Sequence, residues 1–114
     1  MKILKLTKND FKQSDSYYKD YIGKEDLSNY EGHVEIEGSL GYVKFLSIKV
    51  SGHIWAEAGT GIEAGWGIKA GWGIEAGTGI EAGWGIEAGE GIKAGTGIKA
   101  GWGIEAGTGI EAGW

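Results

Sequence analysis

Residues 62–114 read IEAGWGIKAGWGIEAGTGIEAGWGIEAGEGIKAGTGIKAGWGIEAGTGIEAGW. This stretch repeats one hexad: Ile, a Glu or Lys, Ala, Gly, a variable residue that is Trp, Thr or Glu, and Gly. An isoleucine returns at every sixth position from Ile62 to Ile110 without a slip. A fixed short period is typical of a solenoid, in which each unit buries its apolar face against its neighbours. The repeat therefore predicts the fold class, an all-β solenoid, and says much less about function.

The hexad predicts which side chains point inward. Glu90 occupies the variable slot, and burying an unpaired carboxylate costs several kcal/mol. We therefore predict a three-residue strand, Ile-Glu/Lys-Ala, with Ile and Ala inward and the charge outward. Gly-Xaa-Gly forms the corner. Its glycines are expected to adopt φ values forbidden to other residues and so to turn the variable side chain outward.

The variable slots predict a coil of three hexads, or about eighteen residues. Grouping them in threes gives two nearly uniform columns and one mixed column. The columns are Thr60, Thr78, Thr96 and Trp114; Trp66, Trp84 and Trp102; and Trp72, Glu90 and Thr108. We call the second set the Trp column.

The outward charges favour the same grouping. Their columns become Glu63, Glu81 and Lys99; Lys69, Glu87 and Glu105; and Glu75, Lys93 and Glu111. Each column then places a Lys beside a Glu of the next coil, about 4.8 Å away. Grouping in twos would instead stack Glu63, Glu75 and Glu87, which repel one another.

Residues 1–61 are less regular. Val34, Ile36, Ile48, Val50 and Ile54 show a period of two, and Gly32-His33-Val34 and Gly52-His53-Ile54 look like degenerate forms of one coil. We predict the solenoid over residues 32–114, with regular hexads from 62, and a small N-terminal cap over residues 1–31. Within the cap, Ile3, Leu4 and Leu6 predict a short strand. Phe11, Tyr18 and Ile22 share one helical face, which predicts a short helix.

The hexads resemble those of the left-handed β-helix family, whose hexapeptide repeats carry an aliphatic residue at every sixth position. The resemblance runs from Ile48 or Ile62 to the end of the chain. It implies a triangular β-helix. The family usually places its small residue two positions before the aliphatic residue, whereas here Ala follows Ile by two. A right-handed or flattened solenoid therefore stays an alternative.

Composition excludes several functions. The chain has no Cys, all eleven basic residues are Lys, and the net charge is −5. A chain without Arg and with an acidic balance is not expected to bind nucleic acid directly. No apolar run approaches the roughly 20 residues that cross a bilayer, and the start lacks a secretory signal. We expect a cytoplasmic protein that does not contact membranes.

The Trp column is the first candidate interaction surface, with Trp72 and Trp114 near other edges. Outward Trp residues in a row form a large apolar patch, and Trp is enriched at interface hot spots. The competing interpretation is structural, namely that stacked indoles only shield the coil edge.

Two other functions are weighed against that surface. Glu63, Glu81 and Glu87 belong to an acidic face that could imitate DNA and inhibit a nucleic-acid-binding protein, as in a phage or mobile-element counter-defence protein. Lys69, Lys93 and Lys99 favour an ordinary salt-bridged face instead. Many members of the left-handed β-helix family are acyltransferases with an active-site His, which raises the question of His33 and His53. Neither His lies in a catalytic or metal-binding motif.

The sequence thus predicts a rigid, non-enzymatic interaction or scaffold protein without catalytic, cofactor or metal sites. We expect it to form a homo-oligomer or to bind a protein partner, through the Trp column or the open C-terminal end of the solenoid. Trp114 stops within a hexad, which would expose unpaired main-chain groups. That end predicts end-to-end pairing, cover by a partner, or a piece of a longer array.

Overall fold

A computed structural model describes residues 2–13 and 18–113, and it shows a β-solenoid of parallel strands. The strands of the described residues are, in chain order, β1 (Ile3–Leu6), β2 (Phe11–Gln13), β3 (Tyr18–Tyr21), β4 (His33–Ile36), β5 (Gly41–Phe45), β6 (Ile48–Val50), β7 (Ile54–Ala56), β8 (Thr60–Ala64), β9 (Ile68–Ala70), β10 (Ile74–Ala76), β11 (Ile80–Ala82), β12 (Gly85–Ala88), β13 (Gly91–Ala94), β14 (Ile98–Ala100), β15 (Gly103–Ala106) and β16 (Gly109–Ala112).

Three sheets form the walls of the solenoid. Sheet A has the strand order β1-β4-β7-β10-β13-β16, sheet B has β14-β11-β8-β5-β3-β2, and sheet C has β15-β12-β9-β6. From β4 onward, successive strands along the chain visit the three sheets in turn. The prediction of three hexads per coil is therefore confirmed.

The coils shorten along the chain. Ile74 pairs with Ile92 and Ile80 with Ile98, so a regular coil spans three hexads and no more. The earlier coils are longer. The pairing of Ile48 with Ile68 exceeds three hexads by two positions, and that of Val43 with Ile62 exceeds it by one. The predicted kinship of the two Gly-His segments is confirmed, since Val34 pairs with Ile54 on sheet A.

The core is a stack of isoleucines and alanines. The isoleucines from Ile62 to Ile92 are at most 1% exposed, and the alanines from Ala56 to Ala94 that belong to strands are buried as well. Each buried Ile contributes roughly 1.5–3 kcal/mol of hydrophobic stabilisation, before the ordering of the chain is counted. The charged residue between Ile and Ala points outward in the regular strands, as predicted.

The corner glycines serve a different purpose from the predicted one. Among the described residues, positive φ angles occur at Ser39, Gly32, Gly41 and Gly59, and none falls within the hexads from residue 62. From Gly71 onward, the first glycine of each corner instead lies against the coil before it. A Cβ there would overlap the carbonyl oxygen of the glycine three hexads earlier, which holds for Gly83, Gly89, Gly95, Gly101, Gly107 and Gly113. Close backbone approach, and not conformational freedom, requires glycine here.

Thr60 also departs from the prediction that the variable residue points outward. Its side chain is 0% exposed. The hydroxyl donates to the Glu37 carbonyl oxygen at 2.6 Å and accepts the Leu40 N–H at 3.1 Å. Thr60 therefore fastens the irregular 37–41 turn, which contains two of the positive φ angles.

The N-terminal segment extends two of the sheets. The predicted strand is present as β1, which pairs in parallel with β4. The only helix in the described residues is a single 3-10 turn, Lys8–Asp10, capped by Thr7. The short helix predicted from Phe11, Tyr18 and Ile22 is wrong in its position, because β2 and β3 pair antiparallel there and β3 joins β5 in parallel.

Candidate interaction surface

The Trp column forms a continuous ladder on one corner of the solenoid. The Trp84 N–H donates to the Trp66 carbonyl oxygen at 2.8 Å, and the Trp102 N–H donates to that of Trp84 at 2.7 Å. The indoles stack in the same order. Ring centroids of Trp66 and Trp84 are 5.5 Å apart with planes inclined by 8°, and those of Trp84 and Trp102 are 5.0 Å apart at 2°. The corner hydrogen bonds thus hold three parallel indoles in register.

This ladder remains open to solvent. Trp66 is 50% exposed, Trp84 47% and Trp102 78%. One coil earlier the same column holds Leu46, whose carbonyl oxygen accepts the Trp66 N–H at 2.9 Å and whose side chain is 69% exposed. Leu46 and the Trp column thus occupy the same corner position in four successive coils and are exposed in each, and we call this row the Trp ridge.

A groove of about 570 Å³ runs beside the Trp ridge along the outer face of sheet C. Its lining includes the Trp column and four outward charges, one from each strand of the sheet. Along the coils these charges are Lys49, Lys69, Glu87 and Glu105, each paired with the next in the strand register. We call them the charge row. The Lys69 Nζ lies 3.7 Å from the Glu87 carboxylate, and both side chains are about half exposed.

The structure places the remaining predicted tryptophans elsewhere. Trp72 belongs to a different corner column, in which the Glu90 N–H donates to its carbonyl oxygen at 2.7 Å. Its indole lies edge-on to the His33 ring, with centroids 4.7 Å apart, and is 45% exposed. Trp114 lies outside the described residues. Trp72 is therefore as exposed as Trp84 but does not belong to the Trp ridge.

The predicted acidic set is divided between two faces. Glu63 and Glu81 are register neighbours on sheet B, whereas Glu87 lies on sheet C beside Lys69. In the outward rows of the described strands, no more than two carboxylates follow one another before a Lys or another residue type interrupts them. This arrangement does not favour imitation of the evenly spaced phosphates of DNA.

His33 and His53 lie together where strands β4 and β7 of sheet A begin. Their ring centroids are 4.2 Å apart, and the His53 backbone N–H donates to the His33 Nδ1 at 2.9 Å. His33 is buried. Within the described residues no group of three or more His, Asp or Glu side chains could hold a metal ion. Burial, followed by the neighbouring His53, lowers the pKa of His33 below its usual value near 6.5, while Glu35 acts weakly in the opposite direction.

This lowered pKa predicts a pH dependence of stability. Between the two pKa values the unfolded chain binds a proton at His33 that the folded chain does not. The free energy of unfolding therefore falls as the pH drops below about 6.5 and levels off below the folded pKa. His33→Asn keeps an acceptor for the His53 N–H and removes the titration. Urea unfolding at pH 7.5 and pH 5 should show a smaller acid loss in the variant, and equal losses would contradict the assignment.

Two members of this surface were missed by sequence reasoning. Leu46 extends the Trp ridge and Lys49 begins the charge row. Both belong to a coil longer than three hexads, so counting back by three hexads from Trp66 and Lys69 does not reach them. The parallel between Leu46-Xaa-Ile48-Lys49 and Trp66-Xaa-Ile68-Lys69 was the available signal.

In comparisons with protein-family models, curated proteins and solved structures, nothing matches the chain. The described residues contain no helix that is long and apolar enough to cross a membrane. The surface geometry is therefore the main guide to function.

Proposed function

We propose that this protein is a rigid, non-enzymatic β-solenoid that self-associates through the Trp ridge. The observation that carries the proposal is the exposure of Leu46 and of three stacked indoles along one corner. Monomeric proteins rarely leave large contiguous apolar patches in water. Burial of the ridge would remove four large exposed apolar side chains from water.

The Trp ridge is already ordered before any contact forms. Main-chain hydrogen bonds between successive coils fix the backbone at Trp66, Trp84 and Trp102. The stacked indole rings also restrict one another's rotation. Association therefore loses less side-chain entropy than a flexible patch would. Trp is also among the residues enriched at the hot spots of protein interfaces.

A second copy of the chain is the partner that fits best. The ridge has a regular spacing of one coil, about 4.8 Å. Another copy offers the same spacing, so its indoles can meet this ridge at every coil. We expect a concentration-dependent dimer.

The proposal includes kinship with hexapeptide-repeat solenoids and a cytoplasmic location. The hexad, the Ile stack and three sheets per coil support kinship with hexapeptide-repeat solenoids, although the Ala position differs. A cytoplasmic location stays a prediction.

The experiment is sedimentation velocity over a range of protein concentrations. We expect wild type to show a dimer that grows with concentration. Replacing Trp66, Trp84 and Trp102 together by Ser should leave a folded monomer, because the hot-spot area is lost. Trp72→Ser is the matched control, since Trp72 is equally exposed but lies outside the ridge, and it should still dimerise. A wild type that remains monomeric at the highest attainable concentration would refute the proposal.

A further inference from the structure

We propose that the two copies meet with their coils running in opposite directions, sheet C facing sheet C, about a two-fold axis parallel to the strands. The axis passes between the coil of Trp66 and the coil of Trp84. This inference rests on the proposed self-association and adds its geometry. It is drawn from the order of charges beside the Trp ridge.

The charge row is self-complementary under this operation. Along the coils it reads Lys49, Lys69, Glu87, Glu105, with two cations followed by two anions. Reversing one copy about the midpoint of the row places Lys69 opposite Glu87 of the second copy. It also places Lys49 opposite Glu105 of that copy. Each member of the charge row then meets its opposite.

The same axis also pairs the apolar residues. An axis parallel to the strands leaves each position along a strand unchanged, so the ridge of one copy faces the ridge of the other. Trp66 then meets Trp84 of the second copy, and Leu46 meets Trp102 of that copy. Because each ridge residue shares a coil with one charge, a single axis satisfies both sets.

Other arrangements lack this agreement. In one alternative, the two sheet C faces meet with their coils running in the same direction and at the same height. Lys69 then faces Lys69 of the second copy and Glu87 faces Glu87 of that copy, which is repulsive. A dimer built by the same reversal on sheet B would have its axis between Glu63 and Glu81. The Glu63 carboxylate would then face the Glu81 carboxylate of the second copy. Sheet C combines an apolar ridge with a complementary row of charges on one face.

The Lys and Glu side chains are long enough to make these contacts. Facing sheets pack about 10 Å apart, and charge-row residues such as Lys69 and Glu87 are about half exposed. The segment around Leu27 pairs with β6 through the Lys49 N–H, which donates to the Leu27 carbonyl oxygen at 2.8 Å. That segment covers the edge of β6, so the complementary face begins at the coil of Lys49.

Charge-reversal variants test this geometry. Lys49→Glu with Lys69→Glu makes the row entirely acidic, and Glu87→Lys with Glu105→Lys makes it entirely basic. We expect each double variant to lose about tenfold or more in dimer affinity, because like charges then face each other. Mixing the two should restore a heterodimer. Circular dichroism spectra matching wild type would show that both variants fold.

The variant carrying all four reversals distinguishes the two coil directions. Its row reads two anions followed by two cations, which is again self-complementary in the reversed arrangement. It should form homodimers as tightly as wild type, and in a mixture the two proteins should not prefer each other. Preferential heterodimers between the fourfold variant and wild type would overturn the proposal in favour of coils running in the same direction.

The two proposals fail in different ways. If the triple Trp variant is monomeric while all charge variants dimerise like wild type, the reversed geometry is wrong and self-association through the ridge stands. If neither set of substitutions changes the dimer, both are wrong. Wild-type affinity that falls as salt is raised would support the charge pairing.

Discussion

Gly83→Ala is expected to lower the free energy of unfolding by about 3 kcal/mol, the upper end of the usual cost of overpacking. The added Cβ would overlap the carbonyl oxygen of Gly65 in the previous coil. Neither group can move away easily, because the Gly83 N–H donates to the Ala64 carbonyl oxygen at 3.0 Å. Thermal unfolding followed by circular dichroism should show a Tm roughly 12 °C or more below wild type.

Gly85→Ala is the control, since Gly85 is the other glycine beside Trp84. Its Cβ would lie 3.4 Å from the nearest heavy atom, the Gly103 carbonyl oxygen. Alanine also restricts the unfolded chain, so the change in stability should stay within about 1 kcal/mol. Similar Tm values for the two variants would mean that close stacking of the coils is not the reason why position 83 requires glycine.

Ile80→Ala is expected to cost about 2–5 kcal/mol, the range for deleting a large buried aliphatic side chain. Ile80 is 0% exposed and stacks between Ile62 and Ile98 of the adjacent coils. The main-chain ladders hold those coils at fixed spacing, so the cavity cannot collapse. Urea unfolding monitored by circular dichroism measures the loss.

Ile110→Ala offers the comparison at the same hexad slot. Ile110 is 51% exposed on β16, so truncation removes much less buried area and should cost less than about 1 kcal/mol. Equal losses for Ile80 and Ile110 would mean that burial of the side chain does not explain the cost at Ile80.

Most of the solenoid could be predicted because the residues at the variable and charged positions of the hexad repeat with the length of one coil. Trp66, Trp84 and Trp102 share a column only if three hexads form a coil, and the structure has that arrangement. The outward columns agree, since Glu75 pairs with Lys93 and Lys93 with Glu111. Inward and outward positions followed from the cost of burying a charge.

The errors occur where distant contacts decide the structure. Phe11, Tyr18 and Ile22 have helical spacing, but β3 pairs with the edge of β5, a strand that follows much later in the chain. No local pattern reveals such a partner. The role of the corner glycines depends likewise on how closely one coil lies on another, which a repeat alone does not show.

The site was predictable in part. The Trp column was found, because its three members recur at every third hexad. Leu46 and Lys49 were not, since the longer early coils shift their numbering. The acidic set was divided by the fold, because Glu81 and Glu87 are one hexad apart and therefore lie on different sheets.

The interior of this solenoid repeats with every hexad, whereas its surface repeats with every third hexad. Gain or loss of three hexads would lengthen or shorten each face and keep its pattern. Loss of a single hexad, such as residues 68–73, would leave every Ile and Ala inward but move each later corner to another edge. Glu90 would then follow Trp66 in the ladder, and Thr108 would come next. A chain built in this way can exchange one surface for another in a single step while its interior stays the same.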